Sequence, residues 1–280
     1  MNIQEREIQR YLDEDMPYID LTCTLLEIDI QPAKIEYISR DAGVVAGTEV
    51  VQKLFEKLDI ELISILPSGT KIAPGDLLIA GKGSADQIHA IWKVGQNILD
   101  YTSGIASTAR KMVDLCEKGE KKVPLLTTRK SAPGTKHLAI TGIMAGGAMP
   151  HRLGLSETIL IFEQHRQFFK DDQALKAKID EIKHLAIEKR IVIEADNLEE
   201  ALRFAKMGVD IIQFDKLSPE DLKIAIPQLK ELFPNLRILA AGGINPMNIH
   251  TFVETGVDGI VTTSPYYAKA LDVKVNITAL

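Results

Sequence analysis

A chain of 280 residues, 45% hydrophobic and 26% charged, can bury a sizeable core and is too apolar for a disordered protein. Its formal net charge of −6 leaves no electrostatic footprint for nucleic acid, and its two cysteines, Cys23 and Cys116, are too few and too far apart for a disulfide framework or a thiolate metal site. The charged N-terminus is not a secretory signal, and the longest nearly uncharged stretch, 138–150, is glycine-rich and below the ~18 residues that argue a membrane span, so a cytoplasmic protein is expected.

In chain order, residues 2–14 have the spacing of a surface helix with Ile8, Tyr11 and Leu12 on one face, ended ahead of Pro17. Residues 35–39 alternate as a strand, Thr48 is placed to cap a helix running to Leu58, and 60–66 and 76–80 predict further strands. Gly81-Lys82-Gly83 lacks the spacing of a P-loop and predicts a hairpin turn. Ser84 can cap a helix to Tyr101; Thr102-Ser103-Gly104 is expected to break it, with a second helix over 105–117. A charged linker at 118–122 then marks a change of pattern. Beyond it, apolar runs at 123–126, 158–161, 191–194, 210–214, 237–240 and 259–262 predict buried strands. Helices are predicted between them at 170–189, 197–207, 219–233 and 245–255. This alternation implies parallel strands with crossover helices, in an α/β barrel or, alternatively, a doubly wound open sheet.

The stretch 125–152 carries the first chemical signal. An apolar run ends in Thr127-Thr128 and the cations Arg129-Lys130, Pro133-Gly134 turns the chain, and Gly146-Gly147 leads to His151-Arg152. Cations leaving turn-like backbone suit an anionic ligand; two solvated basic loops are the alternative. Barrel enzymes bind ligands at the C-terminal ends of strands. The other strand ends here carry Glu194 with Asp196, Asp215-Lys216, Ala241-Gly242-Gly243 opening a helix, and Thr262-Thr263-Ser264. Glycines between strand and helix let backbone N–H groups approach a phosphate, though they also serve plain tight turns. Glu194 and Asp215 end apolar strands, where a charge needs a partner. Near phosphates the two suit Mg²⁺ held largely through water and ligand oxygens; pairing with Lys130 or Lys216 is the alternative. His89, His137, His184 and His250 have no zinc-like spacing.

Taken together, these residues resemble the quinolinate phosphoribosyltransferase family, the carboxylating nicotinate-nucleotide pyrophosphorylases. The resemblance runs from Glu14-Asp15 and Asp20-Leu21-Thr22, through Asn97 and Ser103-Gly104-Ile105-Ala106, to Thr128-Arg129-Lys130 with Pro133-Gly134. It continues through Gly146-Gly147, His151-Arg152 with Gly154-Leu155, Glu194, Asp215 and Gly242-Gly243-Ile244. It implies an N-terminal α/β sandwich domain (1–117, with the tail 268–280 returning to it) followed by an incomplete, open α/β TIM-like barrel (118–267). It also implies a homodimer with shared active sites, and transfer of the phosphoribosyl group of phosphoribosyl pyrophosphate (PRPP) to the ring nitrogen of a pyridine carboxylate such as quinolinate. The products would be nicotinate mononucleotide, pyrophosphate and CO2.

By position, the resemblance makes Lys130, Glu194 and Asp215 catalytic, Lys130 facing PRPP and the two carboxylates holding ribose hydroxyls and Mg²⁺. Arg129, His151 and Arg152 would bind the base carboxylate, and Ala241, Gly242, Gly243, Thr262 and Thr263 the 5-phosphate. The chain departs from the pattern at three further substrate positions. Lys93 replaces an arginine supplied across the dimer, Phe162 replaces a lysine, and Lys216 replaces an asparagine. Pro150, Ala241 and Thr263 are smaller departures. Residues 92–97 and 157–162 are similar to the ModD-type pyrophosphorylases associated with molybdate transport. Since Phe162 removes a charged partner outright, phosphoribosyl transfer is expected to survive better than quinolinate specificity, with Lys216 partly restoring the lost cation. The competing expectation is a non-catalytic phosphate- or oxyanion-binding protein on the same fold.

Overall fold

Parallel strands buried on both faces read as continuous apolar runs, while a sheet with one covered face alternates; both patterns occur here. The computed structural model describes residues 3–119 and 121–280, so Met1 and Asn2, at the start of the expected first helix, and Glu120, in the charged linker, lie outside the described residues. The elements are α1 (Glu5–Asp15), α2 (Leu21–Leu26), β1 (Pro32–Ser39), β2 (Gly43–Val44), α3 (Thr48–Lys57), β3 (Glu61–Ile65), β4 (Lys71–Ile72), β5 (Leu77–Ser84) and α4 (Ala85–Cys116). There follow β6 (Leu125–Thr127), α5 (Lys136–Ala145), β7 (Met149–Pro150), β8 (Ile159–Ile161), α6 (Glu163–Arg166) and α7 (Asp172–Leu185). The chain ends with β9 (Ile191–Ala195), α8 (Leu198–Lys206), β10 (Ile211–Asp215), α9 (Pro219–Leu232), β11 (Arg237–Ala241), α10 (Ile249–Val253), β12 (Gly259–Thr262) and β13 (Val273–Ala279).

The chain divides into two compact units. The first comprises residues up to Lys111, Ser131–Gly147 and Pro265–Leu280. Its main sheet is antiparallel, in the order β13-β1-β5-β3. Along β1, Ala33, Ile35, Tyr37 and Ser39 all face inward, as the two-residue period of a strand requires. The fully buried Tyr37 hydroxyl donates to the Ile91 carbonyl of α4 at 3.0 Å, which removes the cost of burying it.

Three sequence expectations fail in this unit, each for a packing reason. Gly81-Lys82-Gly83 is no turn but the interior of β5, where a Cβ on Gly81 would lie 2.5 Å from the Phe55 ring. The glycine marks a close approach of α3 to the sheet. Thr102-Ser103-Gly104 does not break α4, which runs unbroken for 32 residues. The Thr102 hydroxyl lies 2.6 Å from the carbonyl oxygens of both Ile98 and Ala46, and a Cβ on Gly104 would sit 2.4 Å from the Lys269 carbonyl. Thr48 does not cap α3: Gly47 does so with φ +86°, and the Thr48 hydroxyl donates to Leu66. A helix that the sequence reading did not place, α5, overlaps the glycine-punctuated stretch 138–150, with Leu138, Ala139, Ile140, Gly142 and Ile143 buried. A helix buried on most sides has no amphipathic period to read.

The second unit, Met112–Lys130 and Ala148–Ser264, holds the parallel sheet β7-β6-β12-β11-β10-β9-β8. It curls into a half-barrel whose edges, β7 and β8, do not pair. The predicted strands are all present, and β7 is the addition. Asp171, Asn197 and Ser218 cap α7, α8 and α9 by accepting the N–H of the residue three positions on. No helix among the described residues is long and apolar enough to cross a membrane.

At the end of the half-barrel away from the strand C-termini, Asp258 gathers Lys230 (2.7 Å), Lys121 (3.0 Å), Arg237 (3.3 Å) and the Ile238 N–H (2.9 Å). Burial works to raise its pKa, but the bonds from Lys230, Lys121 and Ile238 prevail and bring it from 3.8 down to about 2. Because the folded value lies below the unfolded one, this stability is complete above pH 3.8 and is lost as the pH falls towards 2. Asp258→Ala is expected to lower unfolding stability by about 2–3 kcal/mol in neutral urea titrations, and by progressively less as the pH falls.

Candidate active site

The strand C-termini of the half-barrel open into one cavity of about 480 Å³. β6 delivers Thr128, Arg129 and Lys130; the segment after β7 delivers His151 and Arg152; Phe162 follows β8. Glu194 stands in β9, Asp215 ends β10 with Lys216 next, Ala241 ends β11 ahead of Gly242-Gly243, and Thr262-Thr263 closes β12. The fold thus brings together every site residue named from the sequence except one. Lys93 stands on α4 in the first unit, its ammonium 4.5 Å over the Trp92 ring and 3.3 Å from the Gln96 side-chain oxygen.

The loop after β11 needs its glycines. Gly242 and Gly243 have φ of +88° and +72°, in the left-handed region. A Cβ on Gly242 would lie 2.5 Å from Lys216 Cγ and 2.7 Å from Asp215 Oδ1, so the loop backbone runs directly against the β10 end. The Gly243 carbonyl accepts from Asn245 and Asn248, both at 3.2 Å. The Thr262 hydroxyl donates to the Ile244 carbonyl at 2.6 Å, so it shapes the loop. Thr263 and Thr128 hydroxyls meet at 2.9 Å across the neighbouring strand ends. Lys216 also adopts a left-handed φ of +60°, its N–H held by the Ala241 carbonyl. Its largely exposed ammonium lies 3.8 Å from Asp215.

The cavity is electrostatically divided. On one wall, burial first and the neighbouring Asp215 second hold the Glu194 carboxyl above its usual range. On the other, burial and then Arg152 push the His151 imidazole down, so at neutral pH it offers a neutral hydrogen-bonding ring and not a third charge. Arg152 is 8% exposed, and burial together with the adjacent Arg129 lowers its pKa. Neither guanidinium forms an ion pair among the described residues. Glu157 opposes the Arg152 shift only in part, so two neighbouring guanidinia without an ion pair, one of them buried, are stabilised by an anion placed between them.

Phe162 forms part of that cationic wall. Its N–H donates to His165 Nδ1 at 3.0 Å, its ring stacks on that imidazole at 5.7 Å, and the Arg152 guanidinium lies 5.9 Å from its ring centroid. His165 thus fixes the ring, whereas Arg166 turns to Glu200 at 3.2 Å. Gln213 is a cavity residue that sequence reasoning missed. It is 5% exposed in mid-strand, its amide reaches Glu194 at 3.3 Å, and its side-chain oxygen is buried without a partner. The signal was a lone amide in the apolar run Ile211–Asp215.

Among the described residues no group of three or more His, Cys, Asp or Glu side chains forms a metal cage. The donor set present, Glu194 beside Asp215, offers hard oxygens of mutually repelling charge. That set fits Mg²⁺ arriving with phosphate and water oxygens, since this ion is commonly held by one or two carboxylates.

A half-barrel with a left-handed glycine pair, a carboxylate pair and an opposed guanidinium pair at its strand C-termini is a framework suited to phosphorylated, anionic substrates. Residues 105–276 match the C-terminal domain of quinolinate phosphoribosyl transferase, and residues 20–103 its N-terminal domain. The chain is 36% identical over 273 residues to a Pasteurella multocida protein assigned as pyrophosphorylase ModD, covering 98% of this chain and 97% of that one. It is 28% identical to nicotinate-nucleotide pyrophosphorylase (carboxylating) of Rattus norvegicus, covering 96% and 89%. The crystal structure of NadC from Streptococcus pyogenes matches with a TM-score of 0.88 at 25% identity, over 100% and 99% of the two chains. The chain belongs to the quinolinate phosphoribosyl transferase family and is a pentosyltransferase enzyme.

Proposed function

We propose that this enzyme transfers the 5-phosphoribosyl group of PRPP to the ring nitrogen of a pyridine carboxylate, quinolinate or a close relative, releasing pyrophosphate. The observation that carries the reading is the division of one cavity into a carboxylate wall, Glu194 and Asp215, and a guanidinium wall, Arg129 and Arg152. The Gly242-Gly243 loop lies between the ends of β10 and β12 and suits the donor's 5-phosphate. Arg129 and Arg152 pair with the base carboxylate and aim its ring nitrogen at the anomeric carbon. His151, neutral, positions by hydrogen bonding.

As the C–O bond to pyrophosphate breaks and the C–N bond forms, positive charge develops on the ribose. Glu194 and Asp215 stabilise that charge through the ribose hydroxyls, while Lys130 neutralises the leaving group. Glu194 and Asp215 would hold Mg²⁺ beside the donor, where it would supply charge neutralisation to the pyrophosphate. No protein nucleophile is needed. Lys93 reaching a partner subunit's site in a homodimer belongs to this proposal.

The test is pyrophosphate release on mixing the protein with PRPP, Mg²⁺ and a panel of pyridine mono- and dicarboxylates. Release that depends on a base is expected. Absence of release with every base in the panel, alongside tight binding of an inorganic oxyanion, would establish the binding-protein alternative instead.

A further inference from the structure

We infer that the acceptor site has a second chamber, which takes an apolar substituent carried by a carboxylate-bearing acceptor. A cavity of about 570 Å³ lies beside the first and shares Arg129, Arg152, Leu160 and Phe162 with it. It opens where the half-barrel does not close, between the outer edge of β8 and helix α7. The remaining lining is mainly apolar, with Ile159 and Ile161 from the strand, Leu175, Ile179 and Ile182 from the helix, and Phe169 between them.

Two observations point to a ligand and not to a packing gap. The first is continuity with the guanidinium pair. A buried, unpaired Arg152 stands at the mouth of an apolar chamber, which is the arrangement that suits an anion with an apolar body. The second is the apolar lining drawn from two elements, Ile159 and Ile161 of β8 with Ile179 and Ile182 of α7, around a space of about 570 Å³. Phe162 separates the chambers without sealing them. The His165 ring stacked on it and the Arg152 guanidinium 5.9 Å from its centroid hold its ring in place. An acceptor whose carboxylate sits between Arg129 and Arg152 can therefore extend past Phe162 into the second chamber. This inference rests on reading the guanidinium pair as the site of the acceptor's carboxylate.

The experiment uses ligands that cannot react, so it reads the chamber apart from turnover. Benzoate and its para- and meta-methyl, -ethyl and -propyl derivatives are titrated calorimetrically into the full-length protein. In one of the two isomer series, affinity is expected to rise about fourfold per added carbon. Ile182→Trp fills the chamber from α7 and Ile182→Glu makes its wall charged; each is expected to flatten that series. A flat series in the unaltered protein, or a slope that survives both substitutions, overturns the inference. Absence of pyrophosphate release with every pyridine carboxylate defeats the proposed reaction and leaves this titration readable.

Discussion

Glu194→Gln combined with Asp215→Asn is expected to lower kcat for phosphoribosyl transfer by about 10²–10³-fold, the range found when preorganised charge stabilisation is removed from a transition state. Both substitutions preserve shape. A glutamine side chain in place of Glu194 would keep an oxygen for the Gln213 amide that now reaches it at 3.3 Å, and an asparagine in place of Asp215 would leave room beside Gly242. The same pair predicts a gain in stability. Burial and the adjacent Asp215 raise the Glu194 pKa, so its folded value lies above its unfolded one. Folding therefore loses stability as the pH rises through that interval, and the ionised, active form is the costly one. Glu194→Gln alone removes that cost, so its Tm at neutral pH should rise while kcat falls. The acid limb of kcat/KM in the unaltered enzyme should lie above the usual glutamate range. Thermal melts and a pH–rate profile on the same preparations check all three.

Arg152→Met is expected to raise the KM for the base and to reduce kcat/KM by roughly 10–150-fold, equivalent to losing a charge-assisted hydrogen bond of about 1.5–3 kcal/mol. The KM for PRPP should change far less, because Arg152 stands on the guanidinium wall and the carboxylates opposite face the ribose. Arg152→Lys should recover only part of the loss, since an ammonium cannot reproduce the planar fork beside Arg129. A merely structural role would instead move both KM values and the Tm together. Burial and Arg129 already disfavour this charge more than Glu157 favours it, so removing it is not expected to destabilise the fold.

Much of the half-barrel was legible because its strands are buried on both faces and separated by capped helices. The alternation of apolar runs with helical stretches placed α7, α8 and α9, and Asp171, Asn197 and Ser218 prove to cap them. Strand ends then indicated where to look for Arg129, Glu194, Asp215 and Gly242, because a charge or a glycine pair after an apolar run needs a reason. The first unit was less legible. Gly81 and Gly104 are there for close backbone approach, and nothing local distinguishes that from a turn or a break. Helix α5 has apolar residues on most of its faces and so no stripe. Gln213 was missed because a single amide in a strand looks like tolerance until its neighbour Glu194 is seen. The Phe162 partition was equally hidden, since the ring's orientation depends on the His165 hydrogen bond three residues on.

Phosphorus NMR on the full-length protein with PRPP, Mg²⁺ and the best base of the panel tests the central claim most directly. Pyrophosphate is expected to appear in equal amount with a new phosphomonoester resonance from the N-riboside, and both should fall together in Asp215→Asn. Pyrophosphate that appears without the new phosphomonoester, or at the same rate when the base is omitted, would contradict phosphoribosyl transfer to a base.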